Sequence, residues 1–370
     1  MSKDTHKEMF DHSQAKVKLY GSYLAKYLRV IAQDKYTKII YLYDMFCGEG
    51  FYENGEKGSP IVAVDRIRKF YNEFQQAGLD IKVTFNDIDA DVIAKLNVSL
   101  KQVGIPGKCS LRIFNENYLK LLPKINAEIN SMRNEKAVVF LDPKGYKEIS
   151  IPQIGDLLSN RKTEVLVFLP TRDMFRFANM NKEERTKAHE PLHRFISEVF
   201  QNNIPRFESQ WDFILKVKEG LKRNFTKYFI DTFTLERENG QFFCLFFFTS
   251  HIYGFEKMLE TKWEIDSEEG RMLRYEKSGL MFSGSETLNF PQRLKDFLLT
   301  GKKNNGQIYE FCLHEGFLPK HANEILRDLQ QIDALHVFNA DGTNAREGAF
   351  YIRYGEDPRK VIFKYNPTLF

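Results

Sequence analysis

A loop rich in glycine and acidic side chains follows the first strongly apolar run of the sequence. The stretch 43–58, "YDMFCGEGFYENGEKG", places Asp44 at the end of that run and glycines at 48, 50, 55 and 58. In open α/β sheets such loops bind cofactors at the carboxyl ends of the strands. The dinucleotide pattern GxGxxG fails because position 53 is glutamate, and a P-loop is excluded because no Gly-Lys-Ser/Thr follows.

The charge of this loop narrows the choice of cofactor. A pyrophosphate binds backbone N–H groups away from carboxylates, whereas this loop carries Asp44, Glu49, Glu53 and Glu56. S-adenosylmethionine has a sulfonium and an ammonium group and no phosphate, so an acidic loop bent by glycines suits it better. An NAD-dependent oxidoreductase is disfavoured for the same reason.

Polar residues also follow the next two predicted strands. Asp87 ends the second strand, where a carboxylate can accept hydrogen bonds from both ribose hydroxyls, and Asn117 follows the third, where it can reach an adenine amino group. A strand-end aspartate taken alone is about as often a helix N-cap, but suitable residues after three successive strands favour a binding site. The sequence therefore predicts that the cofactor is held by Asp44, Gly48, Gly50, Asp87 and Asn117, and it predicts no metal ion.

The fourth predicted strand ends in "LDPKGY", which places Asp142 and Pro143 where a methyl-accepting group would lie. Amino-methyltransferases use a related tetrapeptide of Asp or Asn, two prolines and an aromatic residue. The acid and the proline carbonyl accept hydrogen bonds from an exocyclic amine, and the aromatic ring stacks on a flipped base. Here Lys144 replaces the second proline, Gly145 is inserted and Tyr146 comes one residue late. We expect Asp142, Pro143 and Tyr146 to orient the acceptor; the alternative is an ordinary Asp-Pro turn.

A parallel sheet is needed to bring these residues together. Between residues 38 and 170 the chain alternates five continuously apolar strands with helical periodicity, which predicts an α/β fold whose sheet is covered on both faces. Further along, an Asn239-Gly240 turn separates two runs of β-forming residues and predicts an antiparallel hairpin. The expected fold is a doubly wound, mostly parallel sheet with this hairpin at its end.

A domain boundary is expected where Ser, Gly and Pro gather in "SGSETLNFP", residues 283–290. We therefore predict a first domain at 1–285, with a helical insertion at 172–227 that can bind the target, and a second domain at 286–370. In the second domain the pattern of helix, helix and hairpin is typical of a winged helix-turn-helix.

The candidate recognition helix of that second domain is acidic. It spans 321–335 and carries Glu324, Asp328 and Asp333, whereas helices that read the major groove usually present Arg, Lys, Asn or Gln. The domain therefore suits a protein partner at least as well as DNA.

Three stretches resemble the three-Cys-motif partner family (TcmP), methyltransferase-like proteins with a C-terminal winged helix. They are "DHSQAKVKLYGSYL" (11–24), "YDMFCGEGFYENGEKGSP" (43–60) and "FLDPKGY" (140–146). The first helix of the family carries His-Thr and Lys; here these positions hold His12, Ser13 and Lys16. The glycine loop of the family is matched at Asp44, Phe46, Gly48, Gly50, Tyr52, Gly55, Gly58, Ser59 and Pro60.

Besides Ser13 in place of Thr, the chain departs from the family pattern at three further positions. Cys47 and Glu49 stand where the family usually has Ala and Pro, and Lys144 replaces a Phe in the third stretch. These departures leave the cofactor in place but leave the substrate open, since Lys144 removes a stacking surface or adds a phosphate contact.

The resemblance implies a class I methyltransferase-like Rossmann fold that binds S-adenosylmethionine. It adds Phe46 to the cofactor-binding residues, and it suggests that Lys16 pairs with the cofactor's carboxylate; the alternative is a solvated lysine. It also implies a partner, a three-Cys-motif protein encoded nearby. The four cysteines of the present chain are far apart and lack that motif, as expected of the partner.

Two segments, 171–187 and 215–229, are basic with interleaved aromatic residues. The first follows the fifth predicted strand and so lies on the side of the sheet that binds ligands. There, phosphates would be held by basic residues and a base would stack on an aromatic ring. The predicted nucleic-acid contacts are Lys144, Arg172, Phe175, Arg176 and Lys182. The alternative for each segment is a solvated amphipathic helix.

Composition sets the remaining limits. The 370 residues carry a net charge of +4, which permits a nucleic-acid partner without requiring one. Separated cysteines and a polar N-terminus without a signal peptide predict a cytoplasmic protein, and the apolar run 242–248 is too short to cross a membrane.

The sequence thus predicts an S-adenosylmethionine-dependent methyltransferase that modifies a base nitrogen of nucleic acid, DNA rather than RNA, together with a three-Cys-motif protein. The alternatives are a non-catalytic, cofactor-sensing module that binds DNA or protein, and an enzyme that is inert without its partner. The sequence leaves open the methylated atom, the recognition sequence and the oligomeric state.

Overall fold

The computed structural model of the chain describes residues 11–107, 109–180, 186–236, 242–267, 270–274 and 289–366. These residues form two compact units. The first contains the described residues up to Gly254 together with 271–274, and the second contains Phe255–Gly270 and the described residues from 289 onward.

Eight strands of the first unit form one sheet. They are β1 (Ile39–Asp44), β2 (Asp80–Asn86), β3 (Cys109–Phe114), β4 (Glu135–Leu141), β5 (Thr163–Leu169), β6 (Phe229–Glu236), β7 (Phe242–Thr249) and β8 (Met272–Arg274). Their order across the sheet is β3-β2-β1-β4-β5-β7-β6-β8. Strands β1 to β5 are parallel, and β7 runs antiparallel to both β5 and β6.

This strand order confirms the predicted doubly wound, class I methyltransferase-like fold with an antiparallel hairpin at one end. Every residue of β5 is buried, as expected for a parallel strand with helices on both faces. The predicted turn at Asn239-Gly240 lies outside the described residues. The strand order reverses between β1 and β4, and ligands of such sheets bind at that reversal.

Helices flank the sheet and fill the connections between its strands. They are α1 (Asp11–Ala32), α2 (Ser59–Lys69), α3 (Tyr71–Ala77), α4 (Ala90–Val103), α5 (Tyr118–Ser131), α6 (Ile151–Leu158), α7 (Thr171–Ala178), α8 (Glu190–Val199), α9 (Gln210–Asn224) and α10 (Ile252–Ile265). Residues 59–77 form two helices rather than one, because Phe70 leaves the helical conformation (φ −107°, ψ 17°) and begins a second helix. Helix α10 begins in the first unit, and its residues from Phe255 onward belong to the second.

The second unit contains helices and a small antiparallel sheet beyond residue 289. Its elements are α11 (Phe290–Leu299), β9 (Lys303–Asn304), α12 (Asn305–His314), α13 (Pro319–Gln331), β10 (Leu335–Asn339) and β11 (Val361–Tyr365). The strand order is β10-β11-β9. The assignment of the second unit as a winged helix stays a prediction. The domain boundary at 285/286 also stays a prediction, because it lies outside the described residues.

The predicted recognition helix was placed two residues too late and extended too far. Helix α13 spans Pro319–Gln331, and its predicted last residue, 335, begins β10. Asp333 adopts a left-handed conformation (φ 58°), which ends the helical path before that strand. Across the described ranges of both units, helices of sufficient length and apolarity to cross a membrane are absent.

Candidate active site

The carboxyl ends of β1, β2 and β4 bring three of the predicted acidic residues to one edge of the sheet. Asp44, the last residue of β1, is in register with Phe85 on β2 and with Phe140 on β4. Asp87 lies two residues beyond Phe85, and Asp142 lies two residues beyond Phe140. The reversal of strand order therefore places Asp44 between the other two acids.

The glycine loop folds back on itself beside these strand ends. The N–H group of Gly58 donates to the Gly50 carbonyl at 2.7 Å, and that of Tyr52 donates to the Glu56 carbonyl at 2.9 Å. Gly50 has φ +92°, and a Cβ there would lie 3.0 Å from the Cβ of Ser99, so position 50 requires glycine on both conformational and steric grounds. The compact loop leaves its first residues, 46–50, beside the strand ends.

Asp44 is a buried carboxylate whose hydrogen bonds are poorly formed. It is 1 % exposed, and neither of its oxygens has a hydrogen bond of good geometry within the described part of the chain. Burial raises its pKa to about 7; the nearby charge of Asp142 adds to that rise, while the Ser59 hydroxyl, the Phe46 N–H and Lys16 oppose it. A buried carboxylate without partners is costly, so the site favours a ligand that brings a donor or a positive charge to Asp44.

Lys16 projects from α1 into the same site. Its ammonium group forms an ion pair with Asp142 and lies 5.0 Å from the centre of the Phe168 ring on β5. Burial alone would lower the pKa of Lys16, but Asp142, Tyr52 and Asp44 outweigh it, so the pKa is raised. The side chain is only 12 % exposed, and the alternative of a solvated lysine is therefore wrong.

Helix α1 also closes over the glycine loop through residues to which the sequence assigned no role. Gln14 donates a hydrogen bond to one carboxylate oxygen of Glu56, and the other oxygen is buried with no partner in the described ranges. The Tyr52 hydroxyl forms a hydrogen bond with Ser13. Burial raises the pKa of Tyr52, although the nearby charge of Lys16 opposes this rise. Tyr52 stands in the loop pattern matched above, and that match was the available signal.

Asn86, which was not predicted as a site residue, connects the ends of three strands by hydrogen bonds. Asn86, the buried last residue of β2, donates to the carbonyls of Met45 and Glu116 at 3.1 Å each and accepts from the Glu116 N–H at 3.2 Å. These bonds fix the ends of β1 and β3 to β2. The sequence signal for these hydrogen bonds was an asparagine at the end of a buried strand.

Asp87 and Asn117 both lie at the predicted edge and both already hold backbone groups. Asp87 accepts from the N–H groups of Gly48 at 3.3 Å and Asp89 at 3.0 Å. Asn117 is the N-cap of α5, where its side-chain oxygen accepts from the Leu119 N–H at 2.9 Å. Their contacts with ribose and adenine stay predictions.

Two apolar side chains beside these residues are exposed. Ile88, which follows Asp87, is 67 % exposed, and Leu119, near the start of α5, is 37 % exposed. Apolar side chains in such positions can cover the face of a planar ring. Their sequence signal, an apolar residue next to each predicted polar contact, was present but was not used.

Two of the residues predicted to orient the acceptor, Pro143 and Tyr146, are buried. Tyr146 is 8 % exposed, its hydroxyl donates to the Pro170 carbonyl, and its ring centre lies 5.9 Å from that of Phe195 on α8. In this arrangement the ring packs in the core and would have to move before a base could stack on it. Pro143 is buried as well, whereas Lys144 is exposed.

The predicted nucleic-acid contacts on α7 are partly accessible. Arg176 is exposed and Arg172 half-buried, and α7 begins directly after β5, at the edge that holds the site. Phe175 is half-buried, with its ring centre 6.3 Å from that of Phe213, so much of its surface is used in packing. Lys182 lies outside the described residues. These contacts stay predictions.

Comparison with known proteins yields similarity of fold only. No protein-family model and no curated protein matches the sequence, so the resemblance to the TcmP family stays a prediction. Among solved structures the chain is similar to a candidate methylase from Haemophilus influenzae, at 12 % identity and a TM-score of 0.29, covering 62 % of this chain and 88 % of that one.

Two further solved structures are similar at the same level. A candidate O-methyltransferase from Klebsiella pneumoniae matches at 14 % identity and a TM-score of 0.32, with 62 % and 80 % of the two chains covered. A candidate rRNA methylase from Clostridium thermocellum matches at 10 % identity and a TM-score of 0.29, with 62 % and 96 % covered. These scores are too low to carry an argument about function, so the fold rests on the strand order of the chain itself.

Proposed function

We propose that the chain is an S-adenosylmethionine-dependent methyltransferase that acts on a base nitrogen of nucleic acid, DNA rather than RNA. The observation that carries the proposal is the carboxylate of Asp44, which has no well-formed hydrogen bond among the described residues. It is buried at the strand-order reversal, beside a glycine loop and within the influence of Lys16 and Asp142. Such a position selects a ligand with a positively charged donor and without a phosphate.

The residues of the site fit the two ends of this cofactor. Asp44 and the glycine loop at Phe46, Gly48 and Gly50 would take its ammonium end, and Lys16 its carboxylate. Asp87 would hold the ribose, while the adenine would lie between Ile88 and Asn117. When bound, the cofactor supplies a methyl group that is activated by the sulfonium charge.

The role of the chain in transfer is to align an acceptor and exclude water. Asp142 and the Pro143 carbonyl would accept hydrogen bonds from an exocyclic amine, and Asp142 would take up its proton as the nitrogen is methylated. The exposed cations Lys144 and Arg176, with Arg172, would hold phosphates. A three-Cys-motif protein as the partner rests on the family resemblance alone.

Calorimetric titration with S-adenosylmethionine tests the cofactor. We expect micromolar binding by the wild type and loss of binding in an Asp44→Ala, Asp87→Ala double variant. An Asp212→Ala, Asp296→Ala double variant, which removes two carboxylates outside the site, should bind like the wild type. Failure of the wild type to bind would overturn the cofactor assignment.

Transfer of a labelled methyl group to DNA and RNA oligonucleotides tests the acceptor. Asp142→Ala should abolish transfer while cofactor binding survives, because Asp142 is assigned to the acceptor side. An Asp142→Ala protein that still transfers methyl groups would overturn the acceptor mechanism.

A second function, a cofactor-sensing module without catalysis, is favoured by the closed acceptor side. Tyr146 is buried and Asp142 is occupied by Lys16. This function predicts tight cofactor binding without turnover on any substrate, both alone and together with the neighbouring gene product. Turnover only in the presence of that product would instead identify an enzyme completed by its partner.

A further inference from the structure

Lys16 lies between the two halves of the proposed site. Its ammonium group is paired with Asp142, the residue assigned to the acceptor. The charge of Asp44, assigned to the cofactor, also acts on it, and Lys16 in turn acts on Asp44. One buried cation is therefore paired with the carboxylate of one half and lies within the electrostatic influence of the carboxylate of the other.

The carboxylate of a bound cofactor would compete with Asp142 for the ammonium group of Lys16. The cofactor's amino-acid end brings a carboxylate with the same chemistry as Asp142, and two carboxylates crowded around one buried ammonium repel each other. Lysine suits such an exchange, because its ammonium is a point charge with rotatable donors on a flexible stem. The ring of Phe168, 5.0 Å from the ammonium, remains beside it whichever carboxylate it serves.

We propose that Lys16 is a shared counter-ion that couples the two halves of the site and sets the order of binding. In the cofactor-free chain Asp142 holds Lys16; the cofactor's carboxylate draws Lys16 away, and Asp142 becomes free to accept the acceptor's amine. The cofactor therefore binds before the acceptor. This inference rests on the proposed function and adds to it the regulation of the same site.

Competition for Lys16 predicts that removing its present partner strengthens cofactor binding. Asp142→Asn should bind S-adenosylmethionine roughly tenfold more tightly than the wild type, a change within the usual range of coupling between neighbouring charges. 5′-Methylthioadenosine lacks the amino-acid end, so its affinity should change by less than about twofold. Its binding also shows that each variant retains a folded site.

Two controls separate competition from other effects. In a Lys16→Met background, Asp142→Asn should no longer strengthen the binding of S-adenosylmethionine, because the shared cation is gone. Asp212→Asn removes the carboxylate of another Asp–Lys pair, and the exposure of Asp212, 27 %, is close to the 24 % of Asp142. This variant should leave the affinity for both ligands unchanged.

The outcomes distinguish this inference from the proposed function. Wild-type binding of S-adenosylmethionine with an unchanged or weaker affinity in Asp142→Asn would overturn the inference alone, since Asp142 would then be orienting Lys16. The same tightening in the Lys16→Met background would also overturn it, because it would reflect direct repulsion between Asp142 and the cofactor. Absence of binding of either ligand in the wild type and in Asp142→Asn would overturn the proposed function, and this inference with it.

Discussion

Asp44 and Glu164 are two buried carboxyl groups of one sheet that differ in their hydrogen bonds. Asp44 ends β1 at the carboxyl edge of the sheet, and Glu164 is the second residue of β5, at the opposite edge. Burial raises the pKa of each to about 7. Glu164 accepts hydrogen bonds from the Tyr23 hydroxyl and, at 2.7 Å, from the Thr249 hydroxyl, whereas Asp44 has no well-formed hydrogen bond among the described residues.

Burial and a raised pKa do not by themselves identify a carboxyl group as part of a binding site. The bonds of Glu164 join α1, β5 and β7, so its carboxyl group holds the scaffold together. Asp44 meets the same desolvation and gains no such bonds, which is the arrangement expected of a group kept for a ligand. Satisfaction of hydrogen bonds therefore separates the structural carboxyl group from the one that we propose binds the cofactor.

The largest expected effect is on stability at the structural carboxyl group. Glu164→Ala should lower the free energy of unfolding by about 3 to 4 kcal/mol, because it leaves a cavity and two buried hydroxyls without their acceptor. Cofactor affinity should not change. Urea unfolding measures the loss, with Glu219→Ala on the exposed face of α9 as control, and a loss below about 1 kcal/mol would contradict the structural role.

The pH dependence of stability should report the same group. The pKa of Glu164 is about 7 in the folded chain, against an ordinary value of 4.5, so between these values the folded chain holds a proton that the unfolded chain has lost. Its contribution is full below pH about 4.5, falls as the pH rises and is lost above about 7, with a total of up to about 3 kcal/mol.

Urea unfolding of the wild type and Glu164→Gln from below pH 4.5 to above 7 isolates this contribution. The difference in stability between the two proteins should fall with rising pH across that interval. A constant difference would show that Glu164 titrates at its ordinary pKa.

The sequence predicted the sheet and its edge because both depend on local signals. Apolar strands of six or seven residues alternate with helices. The topology of parallel strands then places Asp44, Asp87 and Asp142 at one edge. The break between α2 and α3 at Phe70 was not predicted, since nothing in the local pattern distinguishes that residue from Phe74, which lies within α3.

The partners within the site could not be predicted, because they depend on distant parts of the chain. Lys16 and Asp142 are 126 residues apart, and Tyr23 and Glu164 are 141 apart. In the sequence, Glu164 is a single acid in an apolar strand, with no sign of the hydroxyls that satisfy it. The burial of Tyr146 likewise depends on Phe195, which reaches it from α8.

Substitution of Asp44, the proposed cofactor-binding carboxyl group, should affect binding rather than stability, the opposite of Glu164. Asp44→Asn should weaken binding of S-adenosylmethionine about 30-fold, or about 2 kcal/mol, through loss of a charged hydrogen bond. Its stability should be unchanged or higher by about 1 kcal/mol, because a buried carboxylate without partners has been removed.

Calorimetry at several pH values sharpens this prediction. Burial raises the pKa of Asp44 to about 7, and only the ionised form pairs with an ammonium group. The affinity of the wild type should therefore rise with pH up to about 7 and then level off. Glu164→Gln should keep this rise and Asp44→Asn should lose it; a rise that persists in Asp44→Asn would assign the titration to another group.

The smallest expected effect is on stability, from removal of the hydroxyl group of Tyr23 or of Tyr27, which lie one turn apart on α1. Tyr23 donates its hydroxyl to Glu164, whereas the buried hydroxyl of Tyr27 has no partner among the described residues. Both rings are buried, with centres 6.3 Å apart, so replacement by phenylalanine keeps the packing and removes one oxygen in each case. Tyr23→Phe should cost about 1 to 2 kcal/mol, and Tyr27→Phe should change the stability by less than about 0.5 kcal/mol or raise it slightly. Equal losses of stability in urea unfolding would mean that the Tyr27 hydroxyl is hydrogen-bonded in solution. The lack of well-formed hydrogen bonds in the structure would then no longer distinguish the role of Asp44 from that of Glu164.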